Sequence, residues 1–185
     1  MKHLLIPIFL LIFIGCNNNK KSIETPKVKW REIVSEKGKF RLETPDFVIT
    51  ERSTTVLVNE KEIIVNTYSV KTEDRLDDNL AYQIDYSVRP NIKTKEQIEE
   101  AFNNYRDDLK SVANAKLEYD ARIDSLGYPG RELYFTIDGS KVKTMHRLFF
   151  KNGIFYALTV AIPEGKLFNN SIARFFDSFK FLDNK

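Results

Sequence analysis

Histidine chemistry in this chain depends on His146, because no other histidine occurs beyond residue 3 of the 185 residues. A histidine beside a carboxylate can act as a general base. The hypothesis that the chain is a hydrolase would pair His146 with Asp120 or Asp124. No Gly-x-Ser-x-Gly motif or other nucleophile signature accompanies it. Strand-like alternation places His146 on one face with Leu148 and Phe150. We therefore interpret it as a histidine packed or hydrogen-bonded at the margin of a sheet, and we assign no catalytic residue.

Acidic side chains cluster in a probable loop at residues 73–79, where Asp74, Asp77 and Asp78 could converge. Carboxylate oxygens in such a group suit Ca²⁺. The segment lacks the Asp-x-Asp-x-Asp-Gly pattern of a calcium loop, and runs of charge usually face water. We therefore interpret the cluster as a solvated loop and predict no metal site.

Anion recognition has weak support in the sequence. Residues 127–131, Gly-Tyr-Pro-Gly-Arg, could present Arg131 to an anion, but glycine and proline in this order favour a tight turn. No phosphate-binding glycine motif occurs, so no nucleotide or other cofactor is predicted. The 29 Lys and Arg residues against 26 Asp and Glu residues give a net charge of only +3, which argues against a nucleic-acid partner.

Residues 1–15 have the order of an export signal. Lys2 and His3 precede an apolar run over residues 4–14 that is interrupted only by Pro7, and Gly15 then precedes Cys16. A helix of this run would reach only about 18 Å, whereas a bilayer core is about 30 Å thick. The segment is too short to span a membrane and is predicted to be a signal peptide.

The end of this segment, Phe-Ile-Gly-Cys at residues 13–16, resembles the lipobox of bacterial lipoproteins. Phe13 departs from the usual leucine three places before the cysteine. The resemblance implies cleavage before Cys16 and a diacylglycerol on its thiol. It also implies that the new amino terminus carries a fatty acyl chain such as palmitate. Two or three chains would anchor the protein stably, where one chain would be marginal. Ordinary cleavage to a soluble protein and a buried structural cysteine are the alternatives.

A polar segment follows the cysteine. Residues 16–28 are expected to form a flexible tether that holds the folded part roughly 20 Å from the lipid. Cell-surface lipoproteins of some Gram-negative bacteria carry acids directly after the cysteine, whereas the first acid here is Glu24. We therefore expect an anchor that faces the periplasm, with the remaining residues 29–185 forming a single domain.

Alternating apolar residues predict most of the secondary structure of that domain. Strands are expected around residues 40–42, 56–58, 63–70, 82–88 and 117–123, with Leu117, Tyr119, Ala121 and Ile123 on one face. Asp138-Gly139 and Asn152-Gly153 predict two turns of a three-stranded meander. Its last strand, residues 154–162, is apolar on both faces and should lie centrally with both sides covered.

Two helices are available to cover the sheet. Thr94 and Gln97 form a capping box before a helical apolar stripe, and Asn169 or Asn170 can cap a shorter helix around Phe175. Helices separated by antiparallel hairpins indicate an α+β class, with helices packed on the faces of an antiparallel β-sheet.

Several segments of the domain resemble the PsbP-like fold: Trp30, residues 38–41 before Pro45, residues 127–132, a strand ending near Pro163, and residues 175–180. The resemblance covers nearly all of residues 30–182 and implies an α/β/α sandwich. None of these segments is a catalytic motif. Members of this group are mostly non-enzymatic accessory or assembly subunits, adaptors, or bacterial lipoproteins of unknown role.

Together these features predict a lipid-anchored, non-catalytic binding or assembly module at the periplasmic membrane surface. Its expected partners are the bilayer, through acylated Cys16, and an unidentified protein of the cell envelope. An inhibitor or stress-response lipoprotein is the alternative, and an anchored hydrolase that uses His146 is a further one.

Overall fold

The computed structural model describes residues 28–58, 61–72, 77–112, 115–137 and 139–182. The predicted signal peptide and Cys16 lie outside these ranges, as do the tether residues before position 28. In chain order the elements are β1 (Trp30–Ser35), β2 (Phe40–Pro45), β3 (Ile49–Val58), β4 (Lys61–Lys71), β5 (Ala81–Val88), α1 (Lys95–Val112), β6 (Ala115–Ile123), β7 (Gly130–Ile137), β8 (Val142–Lys151), β9 (Ile154–Pro163), α2 (Asn170–Ser178) and β10 (Lys180–Phe181).

Seven of these strands form one antiparallel sheet in the order β3-β4-β5-β9-β8-β7-β6. β9 is therefore the central strand, as its two apolar faces predict. The predicted meander is present, and Asn152 and Gly153 join β8 to β9 with positive φ values of 50° and 76°. Such values suit a two-residue hairpin turn. At the other turn Gly139 also has a positive φ, whereas Asp138 lies outside the described residues.

One face of the large sheet is covered by α1. The predicted capping box is present at its start, because the Thr94 hydroxyl accepts from the Gln97 backbone N–H at 3.3 Å while the Gln97 side chain accepts from the Thr94 N–H at 3.2 Å. The helix then buries Phe102 against Leu133, Phe155 and other apolar residues of the sheet. This packing follows from an apolar stripe at helical spacing.

The opposite face is covered by α2 together with a second, three-stranded sheet in the order β1-β2-β10. Asn169 caps α2 by accepting from the Ile172 backbone N–H at 3.1 Å, and the helix buries Phe175 and Phe176. The small sheet contributes Phe40 and Leu42 to the same core. Both faces of the large sheet are thus covered around β9, whereas most of β3 is exposed. The small sheet itself is not among the sequence predictions.

The predicted facing of β6 is wrong in its second half. Leu117 pairs with Phe135, but Tyr119 pairs with Tyr134, so Glu118 is an extra residue in a β-bulge. A one-residue shift exchanges the two faces of a strand. Leu117 therefore packs on the α1 side, whereas Ile123 packs on the opposite core and Tyr119 is half exposed. The bulge turns Asp120 and Arg122 towards α1.

Candidate functional site

A pocket of about 400 Å³ lies between the C-terminal half of α1 and the large sheet. Its polar lining consists of Gln83, Asp85, Tyr105, Thr144, His146 and Thr159. Its apolar lining consists of Leu109, Ala115, Phe135 and Ile137. Gln83, Thr159 and His146 are direct neighbours across β5, β9 and β8, because the register pairs each with the next. The sheet therefore gathers into one row polar side chains that lie far apart in sequence.

His146 is held by hydroxyl groups on both sides of its ring. Its Nδ1 lies 3.0 Å from the Tyr105 hydroxyl and 3.0 Å from the Thr159 hydroxyl, and its Nε2 lies 2.9 Å from the Thr144 hydroxyl. A neutral imidazole donates from one ring nitrogen and accepts at the other, and a hydroxyl can satisfy either need. The surroundings of His146 thus fit its uncharged form.

Burial also keeps the ring of His146 uncharged. The residue is only 3% exposed, and loss of water around the ring lowers its pKa to about 3. A general base works best when its pKa lies near the operating pH. His146 is therefore poorly matched to proton abstraction at neutral pH.

Asp85 provides a partly buried carboxyl group in the same pocket. Its Oδ1 accepts from the Thr67 hydroxyl at 2.5 Å and its Oδ2 accepts from the Gln83 amide at 2.7 Å. Desolvation raises the pKa of Asp85, whereas these two hydrogen bonds and the charge of Arg52 act in the opposite direction. Within the described ranges, Asp85 has no ion pair with a lysine or arginine at 4.0 Å or less.

The acids that a hydrolase reading would pair with His146 do not contact it. Asp120 forms ion pairs with Arg106 at 3.1 Å and with Arg131 at 3.4 Å. Two strand spacings separate it from His146, since the register runs from His146 through Leu133 to Asp120. Asp124 lies beside a different pocket, at the other end of β6. The structure therefore does not assemble the histidine–carboxylate pair that the alternative of an anchored hydrolase would need.

The described side chains of the acidic loop, Asp77 and Asp78, do not converge on one point. Asp77 accepts from the Tyr82 hydroxyl at 2.6 Å, whereas Asp78 pairs with Lys166 at 2.8 Å. Asp74 lies outside the described residues. Within the described ranges, no group of three His, Cys, Asp or Glu side chains is placed to hold a metal ion.

Arg131 forms hydrogen bonds that connect β7 to α1. Its guanidinium donates to Asn103 at 2.6 Å and to Glu99 at 2.7 Å, both of which lie on α1. The arginine is buried and joins β7 to the helix. This agrees with the interpretation of residues 127–131 as a turn leading into a strand rather than as an anion site.

Sequence reasoning identified His146 but missed most of the pocket. Alternation places Gln83 and Asp85 on the polar face of their strand, and the structure shows that this face lies partly under α1. One signal could have revealed it. β9 is apolar on both faces and needs cover on both sides, and its neighbour β5 shares that cover.

Comparisons with known proteins identify the fold. Cyanobacterial PsbP (CyanoP) from Synechocystis is similar in structure, with a TM-score of 0.58 and 11% sequence identity over 85% of this chain and 95% of that one. The chain has a PsbP-like fold. PA94, a protein of unknown function from Pseudomonas aeruginosa, gives a TM-score of 0.42 and 11% identity over 75% of this chain and 85% of its own. No family model and no curated protein sequence matches the chain.

The PsbP-like fold agrees with the α+β class and the sandwich architecture that the sequence predicts. At 11% identity the likeness concerns the fold alone. Among the described residues, neither helix combines the length and apolar character needed to cross a bilayer.

Proposed function

We propose that this chain is a lipid-anchored, non-catalytic binding module of the bacterial cell envelope, and that the pocket beneath α1 is its binding site. The observation that carries the proposal is the convergence of six polar side chains on one pocket whose histidine is uncharged. Concave sites with a few oriented polar groups and apolar walls are typical of small-molecule binding.

The protonation state and the existing partners of the polar groups favour binding over hydrolysis. His146 is engaged by three hydroxyls and has a pKa far below neutrality. Thr159 lies within hydrogen-bond distance of the ring, but a base with a pKa near 3 is a weak activator of a hydroxyl at neutral pH. Asp120 is committed to two arginines. These groups can orient a ligand without transferring a proton to it.

The proposed anchor is compatible with an accessible pocket. The tether leads into β1, whose first residue, Trp30, packs on the core that α2 and the small sheet share. The pocket lies on the other face of the large sheet, beneath α1. A chain attached through Cys16 would therefore join the fold on the face opposite to the pocket.

The anchor is tested by replacing Cys16. The Cys16→Ser chain cannot carry a thioether-linked diacylglycerol, and we expect it to leave the membrane fraction or to accumulate as uncleaved precursor. Membrane fractionation and intact-mass measurement of native and variant chains give the result. A processed variant that remains fully membrane-bound, or a native product with a bare sulfur, would contradict the lipid anchor.

The binding site is tested by filling the pocket. We expect the native chain, isolated from envelopes under non-denaturing conditions, to carry a small molecule that native mass spectrometry detects. Ala115→Phe places a ring in the pocket and should abolish this extra mass. Ala121→Phe is the matched control, since it makes the same change on β6 outside the pocket lining. Equal ligand content in both variants, or none in the native chain, argues against the pocket as the binding site.

A further inference from the structure

The charge of the pocket is set by one side chain. Three lining residues can ionise: Asp85, Tyr105 and His146. Burial raises the pKa of Tyr105 above its ordinary value, and it lowers the pKa of His146 to about 3, so both are neutral at pH 7. Among the residues that the structure describes, the lining contains no lysine or arginine. Of the described lining residues, Asp85 is therefore the one that can present a charge to a ligand.

The hydrogen bonds of Asp85 fit its ionised form. The Gln83 amide nitrogen and the Thr67 hydroxyl each donate to a different carboxylate oxygen. A carboxylate has about four acceptor positions, so each oxygen keeps capacity for a further donor. Arg52 on β3 lies in the same cross-strand row, and its charge lowers the pKa of Asp85, although the two side chains form no ion pair in the described part of the chain.

A carboxylate in this condition discriminates between ligands by charge. Its loss of water is only partly offset by two neutral donors, and a cation placed beside it would restore the missing counter-charge. Coulomb interactions are stronger here than in water because the pocket wall has a lower dielectric constant. An anionic ligand would instead meet a like charge and would find no basic side chain among the described lining residues.

The apolar part of the lining determines the rest of the ligand. Leu109, Ala115, Phe135 and Ile137 present apolar surface, and the ring of Phe135 stands edge-on to His146 at 5.6 Å between centroids. This surface would bury an apolar body while the polar row holds a charged end. A volume of about 400 Å³ restricts that body to the size of a small molecule.

We propose that the ligand of this pocket is a small organic cation, an amine with an apolar body, whose ammonium group pairs with Asp85. The inference rests on the proposed function, because it names the ligand class of the same pocket. It follows from one partly buried carboxylate that forms no ion pair with a described lysine or arginine, in a pocket whose other described lining residues are apolar or neutral.

Three probes of similar size and different charge test this inference on the mature chain purified in detergent. Phenethylamine is a cation at pH 7, 2-phenylethanol is neutral and 3-phenylpropionate is an anion. Isothermal titration calorimetry should show phenethylamine binding at least about tenfold more tightly than the alcohol, the effect expected of one charge-assisted hydrogen bond. The anion should bind most weakly.

Two matched variants assign the preference to a residue. Asp85→Asn keeps the size of the side chain and should reduce the affinity for phenethylamine to that for 2-phenylethanol. Asp108→Asn makes the same change of charge at an exposed position of α1 outside the lining and should leave the preference intact. If Asp85→Asn does not fold, the comparison of the three probes on the native chain decides alone.

The outcomes separate the ligand class from the binding function. Equal or tighter binding of the alcohol or the anion would overturn the cation inference and would leave the pocket as a binding site. Retention of the amine preference in Asp85→Asn would overturn the role of Asp85. Absence of binding by all three probes would overturn the cation inference, whereas the Ala115→Phe experiment independently decides whether the pocket binds a ligand at all.

Discussion

Replacing Phe40 with alanine is expected to lower the free energy of unfolding by about 3–5 kcal/mol, the range for truncation of a large buried aromatic residue. Phe40 is fully buried on β2 of the small sheet. Its ring contacts Tyr68, Tyr156 and Phe179, with centroid distances of 5.9, 6.3 and 6.0 Å. The first two belong to the large sheet, so truncation would leave a cavity where the two sheets meet.

Denaturant titration followed by circular dichroism measures this change. Phe168→Ala is the matched control, because Phe168 is 80% exposed and its truncation removes little buried surface. We expect the control to remain within about 0.5 kcal/mol of the native chain. A loss below about 1 kcal/mol for Phe40→Ala would show that the small sheet contributes little to the stability of the fold.

The parts of the fold that the sequence predicts are those with local signals. The capping box at Thr94 and Gln97 marks the start of α1, and the Asn152-Gly153 turn marks the β8–β9 hairpin. The two-faced apolar strand over residues 154–162 indicates the centre of the sheet. Each of these signals operates within a few residues, where backbone geometry and side-chain period act directly.

A strand around residues 40–42 is predicted, but the pairing of β1, β2 and β10 into a second sheet has no comparable signal. Its strand β10 contains only Lys180 and Phe181, and it pairs with Arg41 and Phe40 of β2, which precede their partners by 139 and 141 residues. No sequence pattern marks the β-bulge at Glu118 either, because the alternation of residues 117–123 continues unbroken through it. Pairings and irregularities of this kind depend on tertiary contacts, so periodicity cannot reveal them.

The candidate site divides in the same way. His146 attracts attention as a residue type, and its strand face was predicted correctly, since it packs beside Phe135 on the α1 side. Its partners Tyr105, Thr144 and Thr159 come from one helix and two strands. Only Thr144 is close to it in sequence. The neutrality of the histidine follows from these partners and from burial, and neither can be read from a single strand.

Lowering the pH from 7 to 5 is expected to reduce the free energy of unfolding by about 2 kcal/mol through His146 alone. The unfolded chain has the ordinary histidine pKa of 6.5, whereas burial lowers the folded-state pKa to about 3. Between these values the unfolded state binds a proton that the folded state does not, so stability falls as the pH falls. The loss ends below about pH 3, where both states are protonated.

Asp85 acts in the opposite direction and must be separated from this effect. Burial raises its folded-state pKa, so the folded chain binds a proton more readily than the unfolded chain and Asp85 opposes the loss of stability on acidification. Unfolding free energies at pH 5, 6 and 7 are therefore compared for the native chain, His146→Gln, Asp85→Asn and the double variant. His146→Gln should remove the fall between pH 7 and 5, and Asp85→Asn should leave it at least as steep. If the stability of the native chain falls no more steeply than that of His146→Gln, the ring of His146 can be protonated in the folded state. The description of His146 as a buried, neutral hydrogen-bonding group of the pocket would then be wrong.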